Sequence, residues 1–71
     1  MLNLTIAQRR VYRELIRFVD LHGYVPSVRE LAAECQRAPS VVHVHLRNLE
    51  SKGLVRRIPG TARALVIKVV E

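Results

Sequence analysis

A short segment in the middle of the chain combines small, hydroxyl, imidazole and cationic side chains. If this segment is helical, Ser40, Val41, His43, Val44 and Arg47 lie on the side away from its apolar stripe. A serine hydroxyl and imidazole nitrogens can hydrogen-bond to base edges, and a valine methyl can pack on a thymine methyl. The pattern therefore predicts a surface that reads DNA bases. In the alternative interpretation, the two valines are partly buried core residues and the histidine is simply solvated.

Basic residues flank this segment and predict contacts with an anionic backbone. Arg37 and Lys52 lie at its two ends, and Arg56, Arg57 and Arg63 lie further along the chain. Such side chains can reach phosphates or a minor groove, although exposed arginines also serve as simple solvated groups. Ser27 offers a hydroxyl and helix-terminal amides for a phosphate, but a helix cap alone also explains it. The complete predicted DNA-binding set is Ser27, Arg37, Ser40, Val41, His43, Val44, Arg47, Lys52, Arg57 and Arg63.

The same sequence gives little support for a catalytic site or a metal site. His43 and His45 are two positions apart and fall on different helix faces, unlike the i, i+4 spacing of paired helical zinc ligands. Cys35 is the only cysteine and lies in an apolar stripe, which is typical of a small buried hydrophobic residue. No paired carboxylates, glycine-rich phosphate loop or nucleophile elbow is found. We therefore expect no enzyme, metal or cofactor.

Two capping boxes predict where the first two helices begin. Thr5-x-x-Gln8 precedes an apolar stripe of Val11, Leu15, Phe18, Val19 and His22, and Gly23 predicts the end of that helix. Ser27-x-x-Glu30 then opens a second, short helix over residues 28–35, with Val28, Leu31, Ala32 and Cys35 as its apolar stripe.

The third helix and the segment after it complete the expected architecture. Pro39 suits the first turn of a helix running to about Lys52, with Val42, Leu46 and Leu49 facing inward and Gly53 closing it. Two β-rich runs, 54–58 and 64–70, flank the turn signal Pro59-Gly60-Thr61 and predict a hairpin. The fold class predicted is α+β, a three-helix winged helix-turn-helix with a C-terminal β-hairpin wing, forming one domain over residues 1–71.

Charge and length agree with a DNA-binding module. The chain has 71 residues and a formal net charge of +6. Residues 1–35 hold five basic and four acidic side chains, whereas residues 36–71 hold seven basic and two acidic ones. We therefore expect the partner-facing charge in the second half. The longest apolar run is far shorter than the roughly 20 residues of a membrane span, and no signal-peptide pattern opens the chain. We expect a soluble cytoplasmic protein with no membrane partner.

Several motifs, taken in order, make the chain resemble the N-terminal DNA-binding domain of the bacterial LexA repressors. They are Leu4-Thr5-x-x-Gln8, His22-Gly23-Tyr24-x-Pro26-Ser27-x-x-Glu30-Leu31-Ala32, Arg37-x-Pro39, His45-Leu46-x-x-Leu49-x-x-Lys52-Gly53-Leu54 and Gly60-x-x-Arg63. The resemblance implies a regulator that binds double-stranded DNA, with the third helix in the major groove and a wing between Ile58 and Leu65 on the backbone. It covers residues 4–67, and it also implies a bacterial cytoplasm or nucleoid, or the host cytoplasm if the chain comes from a virus or plasmid.

Two departures from that family shape our expectations. Its outward recognition positions carry mostly small, amide and acidic side chains, whereas this chain has Ser40, Val41, His43 and Val44, which predicts a different operator. Family members also carry a C-terminal Ser-Lys self-cleaving domain that dimerises them, and these 71 residues contain no such domain. We therefore expect no self-cleavage.

Two questions stay open at this level. The apolar segment Leu65 to Val70 is able to pair two copies into a homodimer or to close the domain's own core. A second functional hypothesis is a protein-interaction module, in which Val41 and Val44 anchor a partner protein instead of DNA.

Overall fold

In a computed structural model, the backbone is described for residues 4–57 and 65–67, and side chains are described for residues 4–56. The elements in chain order are α1 (Ile6–His22), α2 (Val28–Cys35), α3 (Pro39–Ser51), β1 (Val55–Arg57) and β2 (Leu65–Ile67). Three helices followed by short strands fit the winged helix-turn-helix class. The predicted turn Pro59-Gly60-Thr61, the outer parts of both β-rich runs and Arg63 lie outside the described residues.

Both predicted capping boxes are confirmed. At the start of α1, the Gln8 amide N–H donates to the Thr5 hydroxyl at 3.1 Å, and the Thr5 N–H donates to Gln8 Oε1 at 3.2 Å. At the start of α2, the corresponding distances between Ser27 and Glu30 are 3.2 and 2.9 Å. These reciprocal bonds satisfy amides that the helix itself leaves unpaired, which fixes both helix starts.

Glycines end the first and third helices, as predicted. Gly23 has φ 77° and its N–H donates to the Val19 carbonyl at 2.8 Å. Gly53 has φ 79°, with an N–H bond to Glu50, and the Leu54 N–H returns to the Leu49 carbonyl at 3.0 Å. The helix α3 stops one residue before the predicted Lys52, which is its C-cap.

Apolar side chains from every helix and from β1 form one core. The inward residues of α3 are fully buried, as predicted: Val42 and Leu49 are 0% exposed and Leu46 is 1% exposed. They pack with Val11 and Leu15 of α1, with Leu31, Ala32 and Cys35 of α2, with Val55 of β1 and with Leu54 just before that strand. This shared core holds α2 and α3 against α1 and thereby determines which face of α3 reaches solvent.

The prediction that His22 belongs to the inward stripe of α1 is wrong, because this residue is exposed. It is the last residue of the helix, and its ring lies on Phe18, one turn earlier, with 4.2 Å between ring centroids. Tyr24 completes this small aromatic group, with its centroid 5.5 Å from that of Phe18. The spacing of His22 is helical, but the core ends before the helix does.

The two short strands pair antiparallel, with Val55 opposite Ile67 and Arg57 opposite Leu65. Val55 is buried against the helical core, so β1 is tied to α3 and its neighbours. In the described part of the chain, no helix is both long and apolar enough to cross a membrane.

Candidate nucleic-acid interface

Three residues, Gln36 to Ala38, connect α2 to α3 and bring both helices into a helix-turn-helix. Gln36 adopts a left-handed conformation with φ 56°, and the Arg37 N–H donates to the Ala32 carbonyl at 3.0 Å. Ala38 then caps α3 in an extended conformation, and Pro39 occupies the first helical turn. Because proline has no N–H to satisfy there and its φ suits a helix, the chain starts α3 without a side-chain cap.

One face of α3 is exposed along its whole length. Ser40, Val44 and Arg47 recur at helical spacing and are all exposed, and Val41 lies beside them. Val41 is 41% exposed and Val44 is 53% exposed. Neither valine is among the buried residues of the core. Together the two valines give this face apolar surface beside its hydroxyl and cationic side chains.

The exposed face of α3 differs from the predicted one at its edge and at its C-terminal end. His43 is half-buried and lies at the edge of the exposed face. Asn48 and Ser51 extend that face toward the end of the helix, and the sequence analysis did not include them. Their positions four residues beyond Val44 and Arg47 are the signal that could have identified them, because i and i+4 residues share a face.

Lys52 has an anchored side chain. Its Nζ donates to Gln8 Oε1 at 2.9 Å, and that same oxygen accepts the Thr5 N–H. Gln8 is only 7% exposed, so a buried amide joins the start of α1 to the end of α3. This contact spans 44 residues of sequence and fixes the position of α3 relative to α1. Sequence reasoning assigned Gln8 a capping role alone.

Ser27 is half-buried and engaged in its capping box. The Glu30 carboxylate already accepts the Ser27 N–H, and it places negative charge at the start of α2. A phosphate at this helix terminus would therefore meet a like charge. Arg37 and Arg56 are exposed, the backbone of Arg57 lies in β1, and Arg63 lies outside the described residues.

Comparison with known proteins identifies the family. The model of the LexA DNA binding domain matches residues 1–64. The LexA repressor of Clostridium perfringens is 48% identical over 61 residues, which cover 84% of this chain and 30% of the relative. The LexA repressors of Koribacter versatilis and Staphylococcus aureus are each 43% identical over 68 residues, which cover 94% of this chain and 32% and 33% of those relatives.

This chain thus spans about a third of the length of the relatives it matches. The matched region includes the helix-turn-helix and all of α3. With 64 of its residues matched by the family model, the chain belongs to the LexA DNA-binding domain family.

Proposed function

We propose that this chain binds double-stranded DNA in a sequence-specific manner and represses transcription by occupying its operator. The observation that carries the proposal is the exposed face of α3, where apolar and hydrogen-bonding side chains lie side by side. The relatives that this chain resembles are LexA repressors, which supports the same function. Because bacterial transcription takes place in the cytoplasm, we propose a cytoplasmic location for the protein.

In the proposed complex, α3 lies in the major groove. The helix presents Ser40, Val41 and Val44 to base edges from its first turns, and Arg47 lies one turn later, within reach of a phosphate or a guanine. His43 contributes from the edge of this face. The two valines favour thymine methyl groups over the donors and acceptors that amide and acidic side chains recognise. We therefore propose an operator that differs from the one typical of the family.

The strands β1 and β2 are proposed as the base of a wing that approaches the DNA backbone. Arg57 lies in β1 and Arg63 falls between the two strands in the sequence, and both are proposed as phosphate or minor-groove contacts. Lys52 is proposed as a further backbone contact, whereas the Glu30 carboxylate opposes a phosphate contact at Ser27. For Lys52, the bond to Gln8 fixes the ammonium group near the end of α3.

Selection of bound sequences from a random duplex pool, followed by fluorescence anisotropy on the selected duplex, tests the proposal. We expect Val44→Ser and Ser40→Ala to change the preferred bases, and Arg47→Gln to weaken binding to every duplex. Val42→Ala is the matched control on the same helix. It faces the core, so it should lower the free energy of unfolding by about 2 kcal/mol without changing sequence preference.

Absence of any selected sequence, combined with equal affinity for all duplexes, would reject sequence-specific binding. Stable capture of a protein partner without measurable duplex affinity at low salt would instead favour the protein-interaction module. The comparisons give no support to that alternative. We assign the domain no catalytic role, since its family is a DNA-binding one.

A further inference from the structure

A cleft of about 270 Å³ lies beside the proposed DNA-binding face, where the first turns of α1 meet the end of α2 and the flank of α3. Its lining combines three side chains that can carry positive charge, Arg10, Arg37 and His45, with an apolar wall that includes Val11 and Cys35. Arg10 and His45 were not among the residues that the sequence singled out for DNA contact. The cleft therefore places a basic residue of α1 next to the basic surface that the sequence analysis expected only in residues 36–71.

The two guanidinium groups act on the same wall of the cleft. Both Arg10 and Arg37 lie close enough to the Cys35 sulfur to lower the pKa of its thiol, although burial and the carboxylates of Glu14 and Glu34 raise it overall. Neither of these carboxylates lines the cleft. Within the described part of the chain, neither arginine forms an ion pair. Two cations from separate elements thus line the same cleft, with no carboxylate among its lining residues.

His45, which lines the cleft, also carries an unsatisfied polar atom. Its Nδ1 is buried and has no hydrogen-bond partner among the described residues. Buried polar atoms in folded proteins are nearly always paired, so each exception needs an explanation. An imidazole can donate to an anionic oxygen in its neutral and its cationic form, provided the appropriate nitrogen carries the proton.

We propose that this cleft binds a phosphate group, held by the guanidinium groups of Arg10 and Arg37 and by a hydrogen bond from His45. Arginine matches the oxygens of a phosphate in a bidentate manner, which a point charge does not. The inference rests on the proposed function, because a backbone phosphate of bound DNA is its favoured source. His45 lies one turn after Val41 on α3, so the cleft borders the face that is proposed to enter the major groove.

Salt dependence of DNA binding provides the first test. Because each neutralised phosphate contributes roughly 0.9 to the slope of log K against log salt, we expect Arg10→Gln and Arg37→Gln each to reduce the slope by up to about 0.9. Sequence preference should stay unchanged. Arg13→Gln is the matched control, since Arg13 is exposed on α1 but does not line this cleft. An equal effect of Arg13→Gln would show a general loss of charge and would overturn the proposal.

Two further arms identify the source of the phosphate. In duplexes carrying one neutral methylphosphonate, a position that weakens the wild type but not Arg10→Gln marks the contacted DNA phosphate. In the free protein, titration with inorganic phosphate is followed through the His45 ring resonances by NMR. A shift that Arg10→Gln abolishes, without any change in the DNA salt slope, assigns the cleft to a free phosphate-bearing ligand.

Unchanged slopes together with an unresponsive His45 would overturn the proposal. This outcome differs from failure of the proposed function. If the wild type bound no duplex specifically, the phosphate titration of the free chain would still report on the cleft.

Discussion

At the scale of single residues, the environment of Cys35 has a measurable consequence for stability. Burial, followed by the Glu14 carboxylate, raises the pKa of this thiol above its ordinary value of 9.0. Well below pH 9.0 both the folded and the unfolded chain keep the proton, so the thiol adds no pH dependence there. Above that pH the unfolded chain releases its proton first. We therefore expect the thiol to lower the free energy of unfolding by up to about 1.4 kcal/mol per pH unit until the folded thiol also ionises.

Urea unfolding of the wild type and of Cys35→Ala between neutral pH and pH 11 measures this effect. The alanine variant should be less stable by about 1 kcal/mol at neutral pH, because it leaves a small cavity in the core. The difference should shrink as the pH rises, since only the wild type carries the buried thiol. All other titratable groups are the same in both proteins, so their contributions cancel in the comparison. Two parallel curves would show that Cys35 does not couple to folding in this way.

At the scale of elements, the turn between α2 and α3 depends on one strained backbone position. Gln36 has φ 56°, a left-handed conformation that costs an ordinary residue about 1 kcal/mol or more. We expect Gln36→Gly to raise the free energy of unfolding by about 0.5 kcal/mol, after allowing for the greater entropy of glycine in the unfolded chain. Gln36→Val should lower it by about 1 kcal/mol, because a β-branched side chain tolerates this conformation poorly. Urea unfolding measures both.

Gln36→Asn serves as the control, since asparagine also populates the left-handed region and should leave stability almost unchanged. Equal stability of the valine and glycine variants would contradict the left-handed assignment. DNA affinity of the glycine variant should match the wild type, because Gln36 lies before α3 and is absent from the proposed interface.

The elements also show which features a sequence can predict. Capping boxes and terminal glycines act over three or four residues, so their signals are visible locally, and the starts of α1 and α2 were predicted to the residue. Contacts between distant residues leave no such local pattern. The bond from Lys52 to Gln8 joins the two ends of the helical unit, and only the packing of α1 on α3 reveals it. Gln36 carries no turn signature, because its conformation is imposed by the helices on either side.

At the scale of the whole molecule, the distribution of charge in space differs from that along the sequence. The excess of basic residues in the second half pointed to α3 and the strands as the charged surface. In the folded chain, Arg10 of α1 lines the same cleft as Arg37. The first half therefore contributes to the same basic region, and a count of charges by sequence position underestimates it.

Self-association of two copies of the chain is a property of the whole molecule, and the edge of β2 makes it testable. In the described part of the chain, β2 pairs with β1 alone, so one edge of β2 has no partner strand. Such an edge can pair with a second copy, and two copies would gain affinity by binding two half-sites together. We propose a homodimer through residues 65–70 and expect sedimentation velocity to show a dimer whose fraction rises with protein concentration.

A chain truncated after Ile67 separates this homodimer from the alternative in which the segment closes the domain's own core. It keeps both strands and removes residues 68–71. If copies pair through the segment, truncation should reduce the dimer fraction and weaken binding to two half-sites more than binding to one. The free energy of unfolding of the monomer should change little. A monomer at every concentration, combined with a large loss of stability on truncation, would assign these residues to the core, because the segment would then contribute burial within one chain and no contact between chains.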